Sequence, residues 1–395
     1  MRNKMREDLI MIKKYCLHQN LACYDPYDVW MTGLGIKIKQ LYNSNKVLGI
    51  LPAATLTVWD NFVNNKTRFL YKKQEYPAAR ALAALALLKV YEVNKEEELR
   101  VGAKNHIDWL IANTCTGYAG LCWGLGFKWA AGDGLDYNEN TPFSTHTPYA
   151  LEALDRYVEL TGDVSYTAHI KSVFNFFETD IQVMFEDGTS MATSYGPAKD
   201  RLVTNAVSYA MFAYGIFLKH LPEKRGSITA KIDKLYNFVK GKQRKNGSWL
   251  YEPDSEDSFI DCFHSCFVLK NIHKTNLIVP LTDSQAILKI GYNYLISNFY
   301  NPKSGLFKRF SLSNKPSIVK YDLYDNAEML HLAILMKDTD LIQALSGTIA
   351  KTFVRTGGIY SVIDMLNLRR NKDTLRWAVM PYLYALSANY KQLLE

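Results

Sequence analysis

Six short groupings in this 395-residue chain combine residues that bind polar groups or move protons. They are Asp261 with His264, Tyr321-Asp322 with Asp325, Thr145-His146, Arg201 with Asn205, Glu75-Tyr76, and Arg376-Trp377. The rings of Trp123, Trp129, Trp249 and Tyr251 lie in glycine-containing stretches between them. Aromatic rings stack on sugar faces while carboxylates, His and Arg take hydroxyls, so the set fits a carbohydrate site. Two chemistries follow. Paired carboxylates drawn from Asp261, Asp322 and Asp325 would hydrolyse a glycosidic bond. Alternatively, Arg201 or Arg376 would neutralise a uronate carboxylate while His146, His264 or Tyr321 moves a proton, as in epimerisation or β-elimination. A glycan-binding or scaffold protein without catalysis is the alternative to both.

Each residue also has a structural reading. Asp261 and Asp322 suit helix N-caps. His264 stands beside Phe263, Cys266 and Phe267 and suits a buried, hydrogen-bonded position. Asp322, Asp325 and Glu328 recur at i, i+3 and i+6, which suits a solvated helix face as well as a paired acid. Trp123 and Trp129 suit core packing. His146 precedes Thr147-Pro148, where a helix begins, and reads least like core. Cys262 and Cys266 lie four apart but lack a second Cys/His pair, so neither a metal nor another cofactor is expected. No Walker-type loop, dinucleotide fingerprint or nucleophile elbow is present.

The elements that must hold these residues are helical. Apolar segments at 76–93, 148–160, 206–218, 259–272, 324–336 and 374–390 alternate with segments richer in Lys, Asn and Glu near 48–64, 95–113, 165–180, 226–241, 283–298 and 339–353. The pairs recur every ~55–70 residues, the mark of a repeat architecture. Glycine-aromatic stretches such as Asn246-Gly-Ser-Trp-Leu-Tyr251 lead into the apolar helices, while the return connectors are short. The expectation is an all-α (α/α)6 toroid with apolar helices inside, amphipathic helices outside and all long loops at one end. An open helical solenoid is the alternative. Residues 1–395 read as one toroid domain, with 1–45 as an N-terminal segment packing on it.

The chain carries a net charge of +8. Between Lys219 and Lys245, nine Lys/Arg against two acids account for +7 of it. That stretch suits a solvated face, or contact with anionic membrane lipid or a partner protein. The excess favours an acidic glycan over a neutral one, and nothing suggests a nucleic-acid reader. The N-terminus lacks a secretory h-region, and the most apolar run, 79–90, is too short to span a bilayer. With six cysteines read as reduced thiols, the expectation is a cytoplasmic protein, peripheral to the inner membrane if it meets one.

Two resemblances sharpen this. Gln243-x-x-x-Gly247-x-Trp249 is similar to the QW repeat of terpene cyclases. Asp261-Cys-Phe-His264-Ser-Cys-Phe-Val-Leu269 resembles the stretch of protein prenyltransferase β subunits that carries a zinc-binding histidine. Both families are α/α toroids, so the likeness implies the fold. The Asp-x-Asp-Asp and Asp-x-Cys motifs of their chemistry are missing, which makes isoprenoid chemistry a minor reading. The second resemblance runs in order through Tyr24-Asp-Pro-Tyr-Asp28, Glu75-Tyr-Pro77, Cys122-Trp-Gly-Leu-Gly-Phe-Lys-Trp129, Asn140-Thr-Pro142, Asn246 to Tyr251, Ile260 to Leu269 and Arg376-Trp377. These stretches are similar to a family of α/α-toroid proteins encoded among bacterial capsule, O-antigen and exopolysaccharide genes. That resemblance implies a role in surface-polysaccharide assembly on a glycan or an activated sugar precursor. It adds Tyr24 and Asp28 to the substrate-binding candidates Tyr76, Trp123, Trp129, Arg201, Trp249, Tyr251 and Trp377. Cys262 replaces the polar Asn usual in that family, while Asp261 and His264 are kept.

Overall fold

The computed structural model describes residues 2–132, 135–255, 257–313 and 317–394. The chain opens with α1 (Arg2–Cys16) and three shorter helices, α2 (Asp28–Met31), α3 (Gly33–Ser44) and α4 (Lys46–Val58), the last running into a π-turn, Trp59–Asn64. Five pairs follow: α5 (Pro77–Asn94) with α6 (Glu97–Ala112), α7 (Thr147–Thr161) with α8 (Thr167–Thr179), α9 (Thr204–His220) with α10 (Arg225–Gly241), α11 (Cys262–Ile278) with α12 (Ser284–Phe299), and α13 (Leu323–Met336) with α14 (Thr339–Phe353). The chain ends in α15 (Met380–Leu394).

Burial decides which helix goes inside. In α9 every residue from Thr204 to Leu218 is buried, so the helix has no solvent face. Its partner α10 buries a single stripe, Ile228, Ile232, Leu235, Tyr236, Phe238 and Val239. A helix apolar all round belongs in the core, and one with a single stripe covers it. Helices α5, α7, α9, α11, α13 and α15 each pack on the next, and α15 returns to α5. The ring is therefore closed: the fold is an all-α (α/α)6 toroid, not an open solenoid.

One outer position differs from expectation. The place between α15 and α5 is filled by α1, which packs on both and buries Ile12 and Cys16 there. The 48–64 segment becomes α4 and its π-turn, and α4 packs on α3 instead. Helix α4 buries only Gly49, against Tyr42 of α3, and so covers no groove of the ring.

The long connectors fold as short antiparallel hairpins at one end of the ring, among them Val183–Glu186 with Met191–Thr193 and Tyr300–Asn301 with Leu306–Phe307. The largest sheet joins Gly358–Asp364 to Val354–Arg355, Arg369–Lys372 and Val319–Asp322. All inner helices begin at this end. Pro77 and Pro148 open α5 and α7, where a missing N–H costs nothing. The Asp322 side chain accepts the Tyr324 N–H at 2.8 Å to start α13. Unpaired N–H groups and the positive dipole ends therefore gather at the mouth.

Candidate functional site

The mouth encloses a cavity of about 260 Å³. Its wall is mostly rings: Tyr27, Trp129, Tyr149, Tyr209, Tyr251, Phe263, Tyr324 and Trp377 among them. Trp377 stacks on Tyr324 at 4.4 Å and meets Tyr27 edge-on at 5.0 Å. The polar wall is His146, His264, Arg201, Arg376, Asn205 and Thr145 with the tyrosine hydroxyls. No carboxylate lies among the described residues of the wall. Rings for sugar faces plus a few directed polar groups make a concave site for a hydroxyl-rich ligand.

His264 is held from behind. The strand Ile260–Asp261, paired with Phe310–Leu312, delivers Asp261 to the start of α11, and His264 follows one turn in. Asp261, buried, places its two oxygens 2.7 and 2.9 Å from His264 Nδ1. An ionised carboxylate only accepts, so Nδ1 carries the hydrogen and Nε2 is left for the cavity side. Phe263 and Tyr251 press on the ring at 4.1 and 4.6 Å. A carboxylate-backed imidazole of this kind is equipped to move a proton.

His146 lies in the same wall under different electrostatics. Burial, and then the nearby Arg376 charge, push its pKa down to about 3, so the ring is neutral at pH 7. Its Nδ1 lies 3.1 Å from the Thr145 hydroxyl.

Both arginines already hold a carboxylate. Arg376 makes a bidentate pair with the fully buried Asp25 at 2.6 and 2.7 Å. Arg201 bonds Glu252 at 2.7 and 2.8 Å and lies over the Tyr251 ring. The cavity therefore gains no net charge from either, which removes the electrostatic reason to expect an acidic glycan. Arg376 and Trp377 reach the wall through a kink before α15, where the fully buried Ala378 adopts φ +83°. Positive φ in a residue with a Cβ is strained, and the surrounding packing holds it.

Asp322 and Asp325 are not a catalytic pair facing the cavity. Arg309 pairs with Asp322 and reaches Asp325 at 3.3 Å. Trp377 Nε1 donates to Asp322 at 3.0 Å, and the Phe263 N–H donates to Asp325 at 3.2 Å. Burial raises the Asp325 carboxyl to about 8 against the pull of Arg309. The cluster positions Phe263 and Trp377 from behind, so the two-carboxylate route to hydrolysis has no carboxylate among the described residues that line the cavity. Tyr321 is also elsewhere. It pairs across to Ile363 in the sheet and lines an outer groove.

The remaining candidates divide cleanly. His146, His264, Arg201, Arg376, Trp129, Tyr251 and Trp377 line the cavity. Trp123 and Trp249 do not; they are core rings whose indole N–H groups close outer-helix ends on the Leu110 and Val239 carbonyls, both at 2.8 Å. Tyr76 is fully buried behind Arg376 and Phe127. Tyr24 packs under Lys73 and Arg68. Asp28 accepts the Asp25 N–H at 2.9 Å and so shapes the loop that holds Arg376.

Sequence reasoning passed over Tyr149 and Tyr209, which line the cavity from neighbouring inner helices and whose hydroxyls bond each other. Helical spacing carries the signal: Tyr149 is i+3 from His146, and Tyr209 is i+4 from Asn205, so each shares its partner's face. Asn205 itself is buried in the wall with its Oδ1 lacking a hydrogen-bond partner among the described residues. Arg309 had no such signal, since it stands in a connector outside every motif.

In the stretch from Lys219 to Lys245, five of the nine cations are paired with acids. Lys219, Lys231, Lys234, Lys240 and Lys242 pair with Asp155, Glu178, Glu186, Asp283 and Asp254. It is a solvated, salt-bridged face, and nothing there supports a membrane or partner contact.

No protein-family model and no curated protein matches the chain. Solved structures do, at low identity. A sugar epimerase from a ruminal bacterium superposes with a TM-score of 0.61 at 12% identity, covering 81% of this chain and 88% of its own. A polysaccharide lyase gives 0.57 at 9%, covering 92% and 99%. A GH76 α-mannanase from Bacteroides thetaiotaomicron gives 0.56 at 12%, covering 90% and 99%. The likeness shows that these proteins share the toroid. Among the described residues no helix is long and apolar enough to cross a membrane.

Proposed function

We propose that the protein is a carbohydrate-active enzyme that moves a proton on a sugar carbon, an epimerase- or lyase-type reaction, at the toroid mouth. The observation that carries this reading is the Asp261–His264 pair opening onto an aromatic cavity with no carboxylate among the described residues of its wall. Hydrolysis by two carboxylates needs both groups at the scissile bond. Proton transfer needs one well-held base beside a carbon made acidic by a neighbouring carbonyl. In this reading His264 Nε2 takes the proton, and the neutral His146 is the second proton-handling group. Asn205 Oδ1 and the Tyr149–Tyr209 pair take hydroxyls, and Trp129 and Trp377 meet the sugar faces. With both arginines offset by Asp25 and Glu252, a neutral reducing sugar, whose own carbonyl acidifies the neighbouring carbon, fits better than a uronate, so epimerisation fits better than β-elimination. The sugar epimerase and the polysaccharide lyase among the structural neighbours support the reaction class. The resemblance from Tyr24 to Trp377 supports a role in surface-polysaccharide assembly.

The test is solvent exchange. Neutral and uronic sugars are incubated with the protein in D2O, and deuterium at a sugar carbon is read by NMR. Incorporation that disappears in His264→Ala is expected. Release of reducing ends without deuterium in the product would assign hydrolysis instead, and saturable binding of an unchanged sugar would assign a non-catalytic glycan binder.

A further inference from the structure

The least explained surface lies at the N-terminal hairpin of α3 and α4. Of the 13 residues of α4, only Gly49 is buried. Val47 is 83% exposed and Leu51 73%, with Leu34, Leu48, Val63 and Leu70 exposed around them. Monomeric proteins rarely leave so many large apolar side chains contiguous in water. The geometry explains why they point outward. Gly49 presses on the backbone of Tyr42, where a Cβ would come within 2.3 Å of the Tyr42 Cα, so α4 locks on α3 through its glycine and leaves its large side chains exposed. The hairpin is built to present an apolar face.

Its charge is one-sided. Residues 33–73 carry Lys37, Lys39, Lys46, Lys66, Lys72 and Lys73. The only acid of that span, Asp60, is buried and bonded to the Tyr71 hydroxyl, and Arg68 is buried on Asn371. Apolar side chains rimmed by lysines complement an anionic lipid surface, whose headgroups attract the rim while the acyl boundary takes the side chains. A second copy of this chain would instead bring two lysine rims together. A 13-residue helix is too short to span a bilayer, which takes about 20 residues, so it would lie in the interface plane.

We propose that the α3–α4 hairpin docks the protein on the surface of an anionic phospholipid membrane. This differs from the stretch between Lys219 and Lys245, where five of the nine cations pair with acids and no described large apolar side chain is exposed. Docking also has an orientation. Helix α3 adjoins the cavity mouth: Asn43 bonds the Ala131 carbonyl, Gln40 bonds Asp136, and Lys39 covers the ring of Trp129. The mouth would sit at the lipid surface, within reach of a sugar carried on a lipid headgroup. That last consequence rests on the sugar-site reading, and docking does not.

The experiment is flotation of the full chain with vesicles of phosphatidylethanolamine and phosphatidylglycerol, against vesicles of phosphatidylcholine alone. Partition onto the anionic vesicles, weakened by salt, is expected. Leu48→Glu with Leu51→Glu should reduce it by at least about tenfold. Lys37→Ala and Lys46→Ala should each reduce it by about fivefold. All four side chains are exposed, so thermal melts should not change. Solvent exchange on a free sugar should also survive the leucine substitutions, which separates failure of docking from failure of the sugar site. Absence of partition onto anionic vesicles would overturn the proposal, as would partition indifferent to the two leucines. A dimer in sedimentation that these substitutions dissolve, with no vesicle binding, would assign the face to a second copy and overturn it too.

Discussion

The inner ring holds two polar systems made from the same residue types, one at the mouth and one deeper inside. On α13, Tyr324 lines the cavity, Glu328 lies one turn deeper and His331 nearly another turn below that. In the deep system Lys270 pairs with Glu328, and Lys274 reaches both oxygens of Glu152 at 2.7 and 2.8 Å. The Tyr384 hydroxyl adds to Glu152 at 3.3 Å, and His331 sits edge-on to the Tyr384 ring. Burial drives the His331 pKa well below its usual value. There the charges are matched and the inner ring is plugged. At the mouth, Asp261 holds one nitrogen of His264 and leaves the other, and Asn205 Oδ1 has no partner among the described residues. A buried polar group is structural when its bonds are complete and available to a ligand when one is missing.

The comparison breaks most easily at His264. His264→Ala should cut sugar–solvent proton exchange by roughly 10²–10⁴-fold while leaving the melting curve nearly unchanged, since general acid–base groups contribute about that much. The deep system should behave in the opposite way. Lys274→Ala leaves Glu152 buried without its cation, so urea unfolding should show a loss of about 3–5 kcal/mol, with exchange activity per folded molecule retained. Asn205→Ala should weaken binding of the exchanged sugar by about three- to tenfold in calorimetric titration, the size of one neutral hydrogen bond.

A pH effect sharpens the same contrast. His146 is depressed to about 3 in the folded chain from 6.5. Between those values acid protonates the unfolded chain only, so its contribution is complete above pH 6.5 and shrinks as pH falls toward 3. Urea melts across that range should show a shallower acid slope in His146→Gln. The slope that remains would come in part from His106, which burial lowers to about 4. Least affected should be Lys231→Ala, which removes a half-exposed pair with Glu178 and should cost no more than about 1 kcal/mol in the same melts.

Much of the ring was legible from the sequence, because helical period and glycine-aromatic punctuation are local properties. The inner helices fall within a few residues of the apolar segments. The first outer helix was misplaced because both 2–16 and 48–64 have helical length, and only packing on α15 tells them apart. At the site, Asp261 caps the helix that carries His264 three residues later, and the two were visible together. The partners of Arg376 and Asp322 were not. Asp25 is 351 residues from Arg376, and Arg309 belongs to a connector with no pattern of its own. Trp123 and Trp249 misled for a related reason. Composition places an indole near the mouth, but only the carbonyl it bonds shows that it faces inward.

The seam where α15 meets α1 and α5 has a consequence for biosynthesis. Helix α1 covers a groove formed partly by α15, so the apolar side of α1, with Ile12 and Cys16, waits for Met380, 364 residues after Cys16, to be made. Non-local closure of this sort is slow and leaves sticky surface uncovered meanwhile. A nascent chain stalled before residue 380 would hold five completed helix pairs around an unfilled gap, with the groove side of α1 uncovered.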